Sequence, residues 1–227
     1  MKVGIISDIH SNLFYLKEIL KKLQEHSLDS IYCLGDMVGY YDQPNEVIEL
    51  LRENGIFCIK GNHDKYFLEE LSFDKDRDVL YRMIIQRSEV SDENKDFLRS
   101  LPDFYDVNIS NKRVYMTHSL PSDSETYLNN VNELDREFIK DFDYYLYGHT
   151  HRCHVQYHFG TCVINPGSVG QPRDYNILPS YAVIDFDKES VLTERVKVNT
   201  GSYLAQLKGL DFDQRVIATL ERNKFES

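Results

Sequence analysis

The 227-residue sequence contains no run of eighteen apolar residues, so no segment reads as a membrane-spanning helix. The N-terminus offers one lysine and a short apolar run ending at Asp8. That is too short for a secretory leader and has no small-residue cleavage site, so a cytoplasmic location is expected. Paired cysteines are missing too. Cys33, Cys58, Cys153 and Cys162 form no CxxC, and the first two lie within apolar runs, which points to reduced core thiols. Basic residues are scarce. Twenty-six Lys and Arg against 37 Asp and Glu leave a net charge of −11, which argues against a broad nucleic-acid surface or attraction to an anionic membrane. A local positive site is still compatible with that balance, because bound cations invert the potential of an acidic cleft. No internal repeat and no linker rich in Gly, Pro or Ser interrupts the chain, so a single domain over residues 1–227 is expected.

What is present is a change of pattern along the chain. Residues 3–6 form an apolar run of strand length, after which Leu13, Leu16, Ile19, Leu20 and Leu23 recur at helical spacing. A second strand over 31–34, a helix behind Pro44 and a third strand over 56–59 continue a βαβ pattern with parallel pairing. The stretch 65–101 predicts two helices broken near Ser91, a favourable N-cap. Beyond residue 103, hairpins are expected at 105–109 with 114–117, 155–157 with 161–164, and 181–186 with 191–198. A helix over 133–142 and a strand over 144–147 lie between the first two. A helical cap is expected over about 201–224. A parallel half followed by an antiparallel half predicts two packed sheets with helices outside.

Acidic and imidazole side chains gather where the predicted strands stop. Asp8 and His10 follow the first strand, Asp36 the second, and Asn62, His63 and Asp64 the third; His118, His149 and His151 close two later ones. Parallel sheets bind ligands beyond the carboxyl ends of their strands. The two-residue spacing of Asp8/His10 and His149/His151 would put each pair on one side of an extended backbone. Taken singly, Asp8-Ile9-His10 is more often a capped strand end, and Gly35-Asp36 or Gly61-Asn62-His63-Asp64 a turn. Two imidazoles at one strand end are harder to explain without a ligand, because they cost desolvation. Imidazole, carboxylate and amide oxygen together suit divalent first-row ions. The set exceeds the needs of one tetrahedral ion and suffices for two ions sharing a carboxylate, the arrangement used for phosphoryl and phosphodiester hydrolysis.

Asp8-Ile9-His10, Gly35-Asp36, Gly61-Asn62-His63-Asp64, His118 and Gly148-His149-Thr150-His151 together resemble the calcineurin-like metallophosphoesterase superfamily. Asn165-Pro166-Gly167-Ser168-Val169 with Pro172-Arg173 is similar to a loop of its small bacterial and archaeal branch. The resemblance implies an α/β/β/α sandwich of two mixed sheets flanked by helices. It implies two divalent ions, with Mn expected and Fe, Zn, Co or Ni also compatible. The first would be held by Asp8, His10 and His151, the second by Asn62, His118 and His149, and Asp36 would bridge them. It further implies a hydroxide between the ions that attacks phosphorus in line. His63 would protonate the leaving oxygen or stabilise the transition state, and Asp64 would hold that imidazole in its useful tautomer.

Two departures from the superfamily bear on the substrate. Gly39-Tyr40-Tyr41 occupies the stretch where its protein phosphatases carry an Asp-Arg pair, and Arg152-Cys153-His154 follows the last histidine pair where small members often have Pro. Tyr40 is placed to line the cleft and Arg173 to approach substrate phosphate. Arg152 reads as a solvated surface residue, and His154 as a surface or satisfied one. A phosphodiesterase acting on small phosphate esters or nucleotides is therefore expected. The rivals are a dinucleoside polyphosphate hydrolase, a phosphomonoesterase or protein phosphatase, and a scaffold that kept the fold without turnover. The oligomeric state has no signature in the sequence.

Overall fold

Alternation along the first apolar run sets up the layers. The computed structural model describes residues 1–222 apart from 122, 175–177 and 211. In it, strand β1 (Lys2–Ile6) sends Val3 and Ile5 into one core and Ile6 into another. Helix α1 (Leu13–Leu23) begins where the Asn12 side chain accepts from the Tyr15 N–H, and it buries the stripe Leu13, Leu16, Ile19, Leu20 and Leu23. Strand β2 (Ser30–Cys33), helix α2 (Pro44–Glu53) and strand β3 (Phe57–Cys58) complete two parallel crossovers, with Pro44 in the first turn of α2.

The expected pair of helices over 65–101 is instead four: α3 (Asn62–Phe67), α4 (Asp78–Tyr81), α5 (Met83–Glu89) and α6 (Asp92–Ser100). Glu69 and Arg82 adopt left-handed backbone, at φ 62° and 58°, and a right-handed helix cannot pass through such residues. The break at Ser91 is where the sequence puts it, with Ser91 Oγ accepting from Asn94 N–H at 3.2 Å. Strands β4 (Phe104–Ile109) and β5 (Lys112–Thr117) form the first hairpin. The helix expected over 133–142 shrinks to one turn, α7 (Arg136–Ile139), because Val131 on a 3₁₀ turn and Leu134 and Phe142 on irregular backbone reach the outer core from either side.

Strand β6 (Tyr144–Leu146) pairs parallel with β5, and the hairpin of β7 (Cys153–His158) and β8 (Thr161–Pro166) adds β8 parallel to β6. The last hairpin, β9 (Ser180–Asp185) and β10 (Ser190–Arg195), returns to the first sheet, where β9 lies antiparallel to β1. The strand orders are β10-β9-β1-β2-β3 and β4-β5-β6-β8-β7. Both sheets are therefore mixed, and the expected division into a parallel and an antiparallel half does not hold. The reason lies in β9 itself. Tyr181 and Val183 bury on its helix side while Ala182 and Ile184 bury between the sheets, so the strand belongs inside the stack next to β1.

Helices α8 (Gly201–Lys208) and α9 (Gln214–Glu221) close the core on the side of α1, where Tyr203 stacks on Phe14 at 5.2 Å. The part of the expected cap beyond 222 lies outside the described residues. The result is two five-stranded mixed sheets between helical layers, the α/β/β/α sandwich. All four cysteines are free, three buried and Cys153 half-buried. Among the described residues, no helix is long and apolar enough to cross a membrane.

Candidate metal centre

The carboxyl ends of β1, β2 and β3 in one sheet and of β5 and β6 in the other converge on one point. The loops there are stitched to each other by backbone. Ile9 and His10 N–H both donate to Asp36 O, at 2.8 and 2.9 Å, and Gly148 N–H donates to His118 O at 2.9 Å. The loop carrying Asp8 is held from far along the chain: Ser168 Oγ and Gly170 N–H donate to Asp8 O at 2.7 and 2.9 Å. Two glycines permit the approach. A Cβ on Gly61 would lie 2.1 Å from Asp36 Oδ1, and one on Gly148 2.0 Å from Ser7 Oγ.

Asp8, His10, His149 and His151 do not lie on the extended backbone that their two-residue spacing predicts, and neither does Asp36. All five are left-handed, with φ from 51° to 62°. This conformation is uncommon for residues with a Cβ, and it persists only where surrounding bonds over-determine it. Among the described residues the two groupings within 4.8 Å are Asp8, His10, Asp36 and His151, and Asp36, His118 and His149, so Asp36 belongs to both. Every one of these residues is buried.

The hydrogen-bond pattern shows why this cluster is suited to divalent cations. His10 Nδ1 donates to Val38 O at 3.1 Å and His151 Nδ1 to Gln171 O at 2.6 Å, which leaves both Nε2 lone pairs bare and facing each other at 3.2 Å. His149 donates through Nε2 to Glu125 O at 2.9 Å, freeing Nδ1. Asp36 Oδ2 is buried without a hydrogen-bond partner, 3.6 Å from His10 Nε2 and 3.3 Å from His118 Nε2. Bare acceptors turned toward one another repel until a cation enters, and backbone carbonyls that fix the imidazole tautomers are the usual support of metal ligands.

Electrostatics point the same way. Burial, then the His63 ring, hold His10 well below the ordinary histidine value, and burial, then His118, bring His149 down to about 4, so both imidazoles are neutral. Burial works to raise Asp8, but His151 and His118 outweigh it and bring the carboxyl down to about 2. Burial also opposes charge on His118, yet the Asp36 and Asp8 carboxylates and the Leu34 carbonyl lift it to about 9. The protonated His118 Nε2 lies 3.0 Å from Asn62 Oδ1.

His63 borders the cluster. Its ring stacks on Tyr40 at 5.1 Å, meets His10 edge-on at 4.7 Å, and has a buried Nδ1 without a partner. Burial brings it down to about 3, so it is a neutral imidazole. The expected contact from Asp64 to this ring is not formed. Asp64 accepts instead from four backbone N–H groups, those of Asp36, Gly61, Met37 and Val38, at 2.8 to 3.3 Å. It braces the loop of Asp36 against that of Asn62, because adjacent residues at a helix start project to different sides.

Tyr40 and Arg173 meet above the cluster. Arg173 donates to Tyr40 Oη at 3.3 Å, Tyr127 Oη at 3.2 Å and Gln171 Oε1 at 2.7 Å, and among the described residues no carboxylate pairs with it. Tyr127 stacks on His149 at 4.2 Å. The sequence reading missed Tyr127, the Glu125 carbonyl and Gln86, whose amide accepts from Gly39 N–H and donates to Tyr41 O. Tyr127 and Glu125 lie in a stretch without periodicity, marked only by the polar residues at 123–126, and Gln86 is one polar residue on helix α5 that no spacing singles out.

The sequence matches the family model described as a calcineurin-like phosphoesterase superfamily domain over residues 1–189. It is 33% identical to an uncharacterised protein of Methanocaldococcus jannaschii, over 86% of this chain and 86% of that one. The crystal structure of a metallophosphoesterase from Sphaerobacter thermophilus superposes with a TM-score of 0.80 at 26% identity, covering 99% of both chains. A hypothetical protein from Pyrococcus horikoshii OT3 shares the fold with a TM-score of 0.83 at 19% identity, over 96% of this chain and 97% of its own.

Proposed function

The chain belongs to the calcineurin-like phosphoesterase superfamily, and from that premise we propose that it is a two-metal phosphodiesterase acting on small phosphate esters or nucleotides. One observation carries the reading: bare imidazole nitrogens and an orphaned Asp36 oxygen face one another in two groupings that share Asp36. Asp8, His10 and His151 would hold one cation and Asn62, His118 and His149 the other, with Asp36 common to both. Two divalent ions at such a site supply Lewis acidity and lower the pKa of water. Mn²⁺ suits the mixed nitrogen and oxygen donors, and the four free thiols favour a reducing, cytoplasmic compartment.

The remaining roles belong to the chain. Arg173, held by neutral acceptors only, would present an uncompensated guanidinium to one phosphoryl oxygen. A single positive charge matches the single negative charge of a diester better than a monoester dianion, and this favours the diesterase over the phosphomonoesterase and protein phosphatase readings. Tyr40 would pack beside the phosphorus and keep Arg173 in place. His63, neutral and close to His10, is suited to donate an N–H to a phosphoryl oxygen in the transition state. This reading assigns it no proton transfer to the leaving oxygen.

The test is a panel of mono-, di- and pyrophosphate esters on metal-stripped protein with each divalent ion added back. Turnover of diesters over monoesters with Mn²⁺ is expected. Turnover of none of the panel with any ion would leave the scaffold reading.

A further inference from the structure

Beside the cluster lies a cavity of about 490 Å³ lined by Arg173 and by residues that the reaction as described does not use, among them Asn129, Thr150, Arg152 and His154. Its size falls within the roughly 300–1,000 Å³ of small-molecule sites. Its wall includes Thr150, which lies between His149 and His151, and Arg173, whose N–H donates to His151 O at 3.0 Å and whose guanidinium reaches the tyrosines over the cluster. The cavity therefore adjoins the place of reaction.

Its charge is unusual for a chain with eleven more acidic than basic residues. The Arg152 side chain has no carboxylate partner among the described residues, and its one hydrogen bond uses the backbone N–H. Arg173 has none either. Among the described residues the one acid on the wall is Asp174, whose Oδ2 pairs with Arg195 at 2.6 Å and whose Oδ1 is buried without a partner. A second observation is independent of these charges: His154 Nε2 is buried with no hydrogen-bond partner, which costs free energy until a partner arrives. Two uncompensated guanidiniums and an unpartnered ring nitrogen around one cavity fit an anion that accepts several hydrogen bonds.

We propose that this cavity binds a second phosphate of the substrate, carried beyond the scissile one, and that Arg152 and His154 select for it. The inference rests on the phosphodiesterase reading for the neighbouring reaction and narrows its substrate to esters bearing a further terminal phosphate.

The test compares thymidine 3′,5′-bisphosphate with thymidine 5′-phosphate by calorimetric titration of the manganese-loaded protein. The bisphosphate should bind about tenfold more tightly, the advantage should vanish in Arg152→Gln, and Arg152→Lys should keep part of it. Arg152 is exposed, so these variants keep the fold. Equal binding of the two nucleotides, or an advantage that survives Arg152→Gln, overturns the proposal. Hydrolysis of bis(p-nitrophenyl) phosphate is measured alongside. Preference for the bisphosphate without turnover would refute the phosphodiesterase and leave the subsite standing. Turnover without the preference would refute the subsite alone.

Discussion

Replacing Gly61 by alanine should disable the cluster through a single methyl group. Gly61 has φ −93° and ψ −179°, a backbone any residue adopts, so the variant adds volume without conformational strain. The new Cβ would lie 2.1 Å from Asp36 Oδ1 and 2.5 Å from Asp36 N. To reach ordinary contact at 3.4 Å, the oxygen must retreat by about 1.3 Å. That oxygen accepts from His63 N–H at 2.8 Å, so the shift also pulls on His63. Overpacking of this kind costs about 1–3 kcal/mol, against a total stability of about 5–15 kcal/mol, so the variant should fold. A displacement of about 1 Å in a positioning group costs roughly 10²-fold in rate. The expected outcome is therefore a soluble protein with a lowered urea midpoint, reduced manganese by mass spectrometry and about one-hundredth of the diesterase rate. Gly160→Ala is the control. Gly160 turns the β7–β8 hairpin at φ 92° with open space around it, so that variant should lose about 1 kcal/mol or so of stability and no rate. Full manganese content and an undiminished rate in Gly61→Ala would refute the placing of Asp36 between the two groupings.

Three further outcomes follow from the same geometry. Asp36→Asn removes the carboxylate common to both groupings, and metal analysis should find manganese falling at both positions together; two ions at full occupancy would remove Asp36 from the shared role. His63→Ala should lose about 10²–10³-fold in rate, equally for nitrophenolate and alkoxide leaving groups, because a ring brought down to about 3 has no proton to give at neutral pH; a loss that shrinks for nitrophenolate would restore the general acid. His118 in the metal-free protein is lifted from 6.5 to about 9, so its contribution to stability is complete below about pH 6.5 and disappears as pH rises through 9. A ligating imidazole must be neutral, so manganese binding at pH 7 should release a proton and tighten about tenfold per pH unit up to about 9. Calorimetry in buffers of different ionisation enthalpy counts that proton, and a count of zero would contradict the assignment.

Much of the fold was legible because local pattern and tertiary demand agreed. The stripe on α1, the Ser91 cap and the β4–β5 turn are short-range signals that the packed structure keeps. The gathering of Asp and His residues at strand ends was legible for a similar reason, since strand ends can be read from where apolar runs stop. The backbone of those residues was not legible. Left-handed Asp8 or His149 is unfavourable by itself and is imposed by the Asp8 N–H bond to Gly35 O and the His149 N–H bond to the Asp8 carboxylate, across loops distant in sequence. Asp64 was misread because its four N–H partners come from two loops, and spacing says nothing of which loop will lie alongside. The return of β9 to the first sheet was hidden too, as a hairpin carries no mark of the strand it will join.

The grip of Ser168 and Gly170 on Asp8 also sets a timetable for biosynthesis. The groups that hold the Asp8 carbonyl are made 160 or more residues after Asp8 itself. At about 5–20 residues per second, that delay is roughly 8–30 s, during which the first strand and helix wait without their antiparallel neighbour β9. A chain stalled before residue 168 would carry all seven of Asp8, His10, Asp36, Asn62, His118, His149 and His151 and still lack both groups that hold the Asp8 carbonyl. Tight capture of metal ion should thus wait for the segment that carries Ser168 and Gly170, and a chain stalled before it would compete only weakly for manganese.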